Sequence, residues 1–190
     1  MIGSLPKELL IDGSSYEINP DYRNVLTIIQ AFNDEDLNPK EKAFIMFKRL
    51  FKSFEKIPQN DYTEAYQKAM EFIACEKESR AEKKKKPQVV DWEKDEMMLF
   101  PAVNKVAGFE VRAVEFMHWW TFLGLFQGIS TEDTYGFILS IRQKRARHKK
   151  LEKHEQEFFN RNREICDLHF QTRQDAEDEM EKIFRELAGE

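Results

Sequence analysis

Two short apolar segments separated by a turn signal at the start of the chain predict a β-hairpin. Residues 9–11 and 16–18 are rich in apolar side chains, and Asp12-Gly13 lies between them. An Asp-Gly pair favours a tight turn because glycine tolerates positive φ. Two strands alone are marginally stable in water, so we expect the hairpin to pack on another element.

Helical periodicity follows the hairpin in three segments. The Asn-Pro pairs at 19–20 and 38–39 each offer a capping side chain and a proline suited to the first helical position. Glu41 is placed to complete a capping box in the second helix. A third helix is predicted over about 60–75. These helices carry one apolar stripe each, which predicts a shared core.

The middle of the chain predicts three more helices. The first begins near Asp91 and ends at Gly108, and Pro101 should kink or divide it. The second, over 111–127, is apolar around most of its circumference, so we expect it to be the most buried helix. The third covers about 130–141.

The C-terminal part of the chain has a different character. Residues 143–188 contain neither Pro nor Gly, so one long helix is allowed. Residues 142–153 have seven basic side chains against one acidic, whereas 173–190 have three basic and seven acidic. Its apolar positions, such as Leu151 and Phe158, are too sparse for a coiled coil. They suit a projecting helix that completes its burial on a partner.

Together these patterns predict a mainly α fold: a helical bundle with a small N-terminal β-hairpin and a long C-terminal charged helix. We expect a helical domain over 1–142 and an extended charged helix over 143–190. Residues 76–90 are interpreted as a charged linker inside the helical domain, because nine of the eleven residues in 76–86 are charged.

The amino-acid composition indicates the cellular compartment and the classes of partner that we expect. Hydrophobic residues make up 41% of the 190, enough for a sizeable core, and the net charge of −5 gives the whole chain no basic bias toward nucleic acid. Two cysteines suit a reducing compartment better than a disulfide scaffold. No apolar run is long enough to span a membrane, and the N-terminus lacks a secretory pattern. We therefore expect a soluble, cytoplasmic protein.

Catalytic motifs are not found in the sequence. Cys166 and His169 could share one helix face, but no second Cys/His pair completes a metal site. There is no Gly-x-Ser-x-Gly elbow and no phosphate-binding glycine loop. We expect no catalytic residue, no metal ligand and no cofactor, and hence a protein that is not an enzyme.

The segment His118-Trp119-Trp120 resembles a site at first sight. On a helix the two tryptophans point about 100° apart, so one can fill the core while the other covers a neighbouring element or an interface. His118 can satisfy a hydrogen bond at the edge of the core. We interpret the segment as core of the domain rather than as a centre of chemistry.

A set of short segments is similar to a known family. The segments are Leu5-Pro6, the Asp12-Gly13 hairpin, Tyr16-Glu17-Ile18-Asn19, Tyr22-Arg23, Asp91-Trp92-Glu93-Lys94-Asp95, Phe100, Gly108, His118-Trp119-Trp120-Thr121-Phe122, Leu125-Phe126 and Ile141-Arg142. Over about 5–165 the chain resembles the "gene product fifteen" family of small proteins from the tail-morphogenesis region of phages and prophages of Gram-positive bacteria. Trp92 departs from the family, which usually has Tyr or Phe near that position.

The resemblance implies a tail assembly chaperone in the host bacterial cytoplasm. Such a protein would coat the aggregation-prone tape-measure protein until tube subunits polymerise around it. The tape measure is then the expected partner, and self-association or a frameshifted longer form stays open. The expected partner-binding side chains are Trp119, Trp120, Arg142, Arg145, Leu151, Phe158 and Phe159. The alternatives are a minor tail component retained in the virion and a nucleic-acid-binding protein that uses 142–153.

Overall fold

The computed structural model describes residues 3–75 and 89–168, which divide into two compact units. The first unit comprises 3–75 and Phe116–Phe122, and the second comprises 89–115 and 123–168. The described chain is mainly helical with one small hairpin, as predicted. Most of the predicted linker 76–90 and the acidic stretch 173–190 lie outside the described residues.

The N-terminal hairpin has the predicted form. Strands β1 (Glu8–Ile11) and β2 (Ser14–Glu17) pair antiparallel. Asp12 and Gly13 between them have φ of 42° and 74°. Two consecutive positive φ values define the turn whose twist matches the strands, and they explain the Asp-Gly pair. Ile11 has no exposed surface, so the hairpin packs on the rest of its unit as expected.

Three helices complete most of the first unit: α1 (Tyr22–Asn33), α2 (Pro39–Leu50) and α3 (Tyr62–Ala74). Helix α2 begins with the predicted capping box of Asn38 and Glu41. Two short 3₁₀ turns, Phe54–Lys56 and Gln59–Asp61, join α2 to α3. Side chains of all three helices form the core of the unit, together with two from the later segment: Val25, Ile28, Met46, Leu50, Ala65, Tyr66, Ala69, Phe72, Trp119 and Phe122.

The start of α1 and the end of α2 differ from the sequence prediction for a physical reason. The cap of α1 is Asp21 rather than Asn19, because Asp21 accepts the Arg23 N–H. Helix α2 ends at Leu50, although the apolar stripe continues to Phe54. Phe51 is extended there because it forms a bridge with Ile18 after the hairpin.

The second unit is built from α4 (Glu96–Ala107), the end of α5 (Trp119–Gln127), α6 (Thr134–Ala146), α7 (Lys153–Arg161) and α8 (Arg163–Cys166). Pro101 lies inside α4 without dividing it, and Gly108 ends the helix with φ of 77°. The predicted stop of α5 before Gly128 is confirmed.

The predicted helix over 111–127 is wrong in its first half. Val111–Ala113 form a 3₁₀ turn, and α5 starts only at Trp119. The Met117 N–H bonds to the Asp21 carboxylate and the Met117 carbonyl to the Tyr22 N–H, so the backbone before α5 is paired with the start of α1 instead of coiling. The helix is also less buried than expected.

The continuous helix expected from residue 143 is also interrupted within the described residues. Helix α6 ends at Ala146, and the chain turns through His148, which has a positive φ of 53°. Helix α7 begins anew with a capping box of Glu152 and Glu155. Local backbone caps on both sides of the turn therefore end one helix and start another. Residues 169–190 lie outside the described residues.

No described helix is both long and apolar enough to cross a bilayer.

Candidate functional site

His118 caps the helix that follows it and fixes the N-terminal segment. Its Nδ1 lies 3.0 Å from the Trp120 N–H, and its Nε2 lies 2.9 Å from the Pro6 carbonyl. Since Nδ1 accepts, the hydrogen is on Nε2, which donates to Pro6. A neutral ring with this tautomer uses both nitrogens, and His118 is only 4% exposed. The expectation of a hydrogen-bonded histidine at the edge of the core is confirmed.

The two tryptophans next to it cap a different helix. The Trp119 indole N–H donates to the Ile73 carbonyl at 2.8 Å, and that of Trp120 donates to the Phe72 carbonyl at 2.9 Å. Both carbonyls are in the last turn of α3, where helical N–H partners run out, although the Phe72 carbonyl also accepts the Cys75 N–H at 3.1 Å. Trp119 is buried and Trp120 is half-buried. The segment therefore joins α3 to the start of α5, and one indole lies in the core as predicted.

The backbone before α5 is fixed to the start of α1. The Trp119 N–H donates to the Pro20 carbonyl at 2.7 Å, and the Tyr22 N–H donates to the Met117 carbonyl at 3.0 Å. The Met117 N–H donates to Asp21 at 3.2 Å. Because the chain is held on this side, the preceding side chain, Phe116, points outward and is 57% exposed.

A groove of about 560 Å³ runs beside this segment within the first unit. We call it the N-terminal groove, and its lining is Leu5, Lys7, Glu8, Glu17, Ile18, Asn19, Pro20, Lys52, Phe116 and His118. Leu5 is 41% exposed and Phe116 57%, so two large apolar side chains are available at its surface. An exposed apolar groove is a common feature of protein-binding sites.

The charges around the N-terminal groove are balanced. Lys52 Nζ lies 2.8 Å from Glu17 Oε2, and this hydrogen bond and its charge lower the pKa of Glu17. Lys7 and Glu8 supply one further charge of each sign. The site has no net charge, and it has apolar side chains at its surface. Such a site selects a partner through apolar contact rather than through charge.

The described residues contain two free cysteines and no cluster of metal-binding side chains. No group of three His, Cys, Asp or Glu side chains there is placed to hold a metal ion; His169, half of the pair weighed in the sequence, lies outside them. Burial raises the pKa of the Cys75 thiol to about 11 and also raises that of Cys166. Both thiols therefore keep their protons at neutral pH.

A buried charge pair lies in the second unit. Arg142 Nη1 and Nη2 lie 2.5 and 2.8 Å from the Asp95 carboxylate, to which the Tyr135 hydroxyl also donates at 3.0 Å. Arg142 donates further to the carbonyls of Val89 and Ile165. Burial and the charge of Asp95 raise the pKa of Tyr135 above its ordinary value. This cluster holds together distant segments of the unit.

The seven side chains expected to bind a partner are distributed over both units. Three are buried, namely Trp119, Arg142 and Phe159, and their contacts are internal. Arg145 lies over the Phe159 ring at 3.9 Å and pairs with Asp167 at 3.2 Å. Trp120, Leu151 and Phe158 keep part of their surface exposed.

Sequence reasoning did not select Leu5 and Phe116, the two exposed apolar side chains of the N-terminal groove. Phe116 belongs to an apolar run that periodicity assigns to a core helix. Phe116 points outward because the next residue, Met117, pairs with Asp21 and Tyr22. No local sequence pattern predicts that pairing.

The fold and the site define a mainly helical protein whose aromatic segment lies beside an exposed groove with no net charge. The family model described as Bacteriophage Gp15 protein matches residues 1–168. Since this is most of the 190 residues, the chain belongs to that bacteriophage protein family. Comparison with curated proteins and with solved structures gives no match.

Proposed function

We propose that this protein is a tail assembly chaperone that binds the tape-measure protein during tail morphogenesis in the host bacterial cytoplasm. Membership of a bacteriophage family supports a phage-related role. The N-terminal groove, with Leu5 and Phe116 exposed beside it, is the observation that carries the proposal. The protein acts by binding and needs no cofactor.

The groove suits the apolar face of an amphipathic helix. Such helices insert apolar side chains at i, i+3, i+4 and i+7 into apolar grooves. Full burial of a Leu or Phe side chain contributes about 1.5–3 kcal/mol, part of which is lost to ordering on association. Two such anchors give a modest affinity per copy. Modest affinity is what a chaperone needs if many copies cover a long partner and later leave it.

Co-expression with the tape-measure protein tests the proposal. We expect the wild-type chain to increase the soluble fraction of the tape measure and to co-purify with it. Phe116→Ser should weaken both effects, because it removes the more exposed anchor of the groove. Phe44→Ser is the matched control, since Phe44 is 55% exposed in the same unit and does not line the groove.

Two results would contradict the proposal. One is a tape measure that is equally insoluble with and without this chain. The other is retention of the protein in purified virions, detected by mass spectrometry, which would favour a structural minor tail component. Equal loss of binding in the Phe116 and Phe44 variants would retain a chaperone but exclude the groove as its binding site.

A further inference from the structure

The basic side chains of 142–153 fall into two groups in the second unit. Three of the seven are paired internally with carboxylates: Arg142 with Asp95, Lys144 with Glu155 at 2.5 Å, and Arg145 with Asp167. Burial opposes ionisation of Glu155, but hydrogen bonds from Lys144 and from the Glu152 N–H outweigh it, so the pKa of Glu155 is lowered. These three cations stabilise the unit itself.

The other four cations lie at the surface. Arg147, Lys149, Lys150 and Lys153 are exposed, and none pairs with a carboxylate in the part of the chain that the structure describes. We call residues 147–153 the basic loop. Four basic side chains against Glu152 give it a charge of +3 in a chain whose net charge is −5.

The backbone that carries these cations is fixed by hydrogen bonds. The Lys149 N–H donates to the Lys144 carbonyl and the His148 N–H to the Arg145 carbonyl, both at 2.8 Å. His148 has φ of 53°. This pair of bonds around a left-handed residue is the Schellman turn that ends many helices. A fixed loop loses little backbone entropy when a partner binds.

Apolar side chains lie beside the cations. Leu151 belongs to the basic loop, and it packs with Phe137 and Phe158 against the buried cluster around Phe159 while all three remain partly exposed. The His154 ring stacks on Phe137 at 5.9 Å. The surface therefore offers positive charge and apolar area together.

We propose that the basic loop is a second interaction surface, which binds an acidic amphipathic polypeptide segment. Carboxylates of such a segment would meet the four exposed cations of the basic loop, and its apolar side chains would cover Leu151 and Phe158. Complementary charge speeds encounter and selects the partner. A nucleic acid is the less favoured partner, because the half-buried apolar side chains would remain unmatched by phosphates and the net charge of the chain is negative.

Peptide binding to the full-length chain tests the proposal. The probe is a fluorescent synthetic peptide of about 18 residues with Leu at i, i+3, i+4 and i+7 spacing and Glu at the other positions. The comparison probes are the same peptide with Lys in place of Glu and a single-stranded oligonucleotide of about 20 nucleotides. We expect the acidic peptide to bind most tightly, and its affinity to fall about tenfold or more between about 50 and about 300 mM salt.

Charge reversal locates the binding. Lys149→Glu/Lys150→Glu should weaken the acidic peptide about tenfold or more at low salt. Lys40→Glu/Lys56→Glu is the control, because it makes the same change in net charge on exposed lysines of the first unit. The proposal fails if both double variants lose equal affinity, if neither does, or if the oligonucleotide binds more tightly than the acidic peptide. Phe116→Ser should leave peptide binding intact, so this result is independent of the chaperone test.

Discussion

The guanidinium of Arg142 donates hydrogen bonds from two nitrogens to the carboxylate of Asp95, at 2.5 and 2.8 Å. The side chains are 3% and 1% exposed, so water screens the pair very little. The Tyr135 hydroxyl and the carbonyls of Val89 and Ile165 occupy further hydrogen-bonding positions around it. A buried ion pair with this degree of hydrogen bonding tolerates loss of one member poorly.

The first prediction concerns this pair. Arg142→Met should lower the free energy of unfolding by about 3–5 kcal/mol, because it leaves the Asp95 carboxylate buried and unpaired. Urea denaturation followed by circular dichroism measures the change. Arg145→Met is the control, and we expect it to cost about 1 kcal/mol or less, because the ion pair of Arg145 is partly exposed.

A double variant separates the charge pair from packing. Asp95→Asn removes the charge that Arg142→Met leaves behind, so the double variant should be destabilised by less than the sum of the two single variants. Strictly additive changes would show that the two side chains act independently, contrary to their geometry. If Arg142→Met does not fold, the stability of the double variant still decides the question.

The second prediction concerns the indole groups that cap α3. Trp119→Phe keeps most of the ring but removes the N–H that bonds to the Ile73 carbonyl, and it should cost about 1–3 kcal/mol because that group becomes unsatisfied. Trp120→Phe should cost less, because Trp120 is half-buried and water can replace its N–H. Thermal unfolding compares the two variants. A larger loss for Trp120 would contradict this account.

The third prediction concerns the Cys75 thiol. Burial raises its pKa to about 11 from an ordinary 9.0, so at pH 8 the thiolate fraction is about a hundredfold below that of an unperturbed thiol. Alkylation by iodoacetamide, followed by mass spectrometry, should be slow in the folded protein and should accelerate in urea. Its rate in the folded protein should rise with pH through 9 and 10 without levelling off. Rapid modification at pH 8 would show that the thiol is more exposed.

The features that the sequence predicts correctly depend on residues close together in the chain. Asp12-Gly13 requires the two positive φ values that the hairpin contains, and Asn38 with Glu41 forms the expected capping box. That one of the two neighbouring tryptophans fills the core follows from helical geometry, and the structure identifies it as Trp119. Each of these features depends on side chains a few positions apart, so a single sequence is enough to identify it.

Pairing between distant segments accounts for what the sequence misses. Met117 bonds to Asp21 across 96 positions of the chain, and the backbone before Trp119 is a 3₁₀ turn and irregular chain instead of the predicted helix. The same contact exposes Phe116 beside Leu5, so the N-terminal groove depends on a pairing that no short window contains. Arg142 is similar, because its partner Asp95 lies 47 positions away. The sequence alone does not show which basic side chains lie next to a distant carboxylate and which do not.

The last prediction concerns the turn that interrupts the expected long helix. His148 holds φ of 53°, a left-handed conformation that costs an ordinary residue roughly 1–2 kcal/mol and glycine very little. His148→Gly should therefore raise the free energy of unfolding by about 0.5–1 kcal/mol, part of the gain being lost to the greater freedom of glycine in the unfolded chain.

Gly108→Ala is the reverse control: Gly108 has φ of 77° at the end of α4, and an added Cβ would meet nothing within 4 Å. We expect Gly108→Ala to lower the free energy of unfolding by about 1 kcal/mol, and this change would come from backbone conformation alone. Urea denaturation should show opposite signs for the two variants. Destabilisation by both would mean that the His148 side chain stabilises the turn through contacts that outweigh its backbone cost.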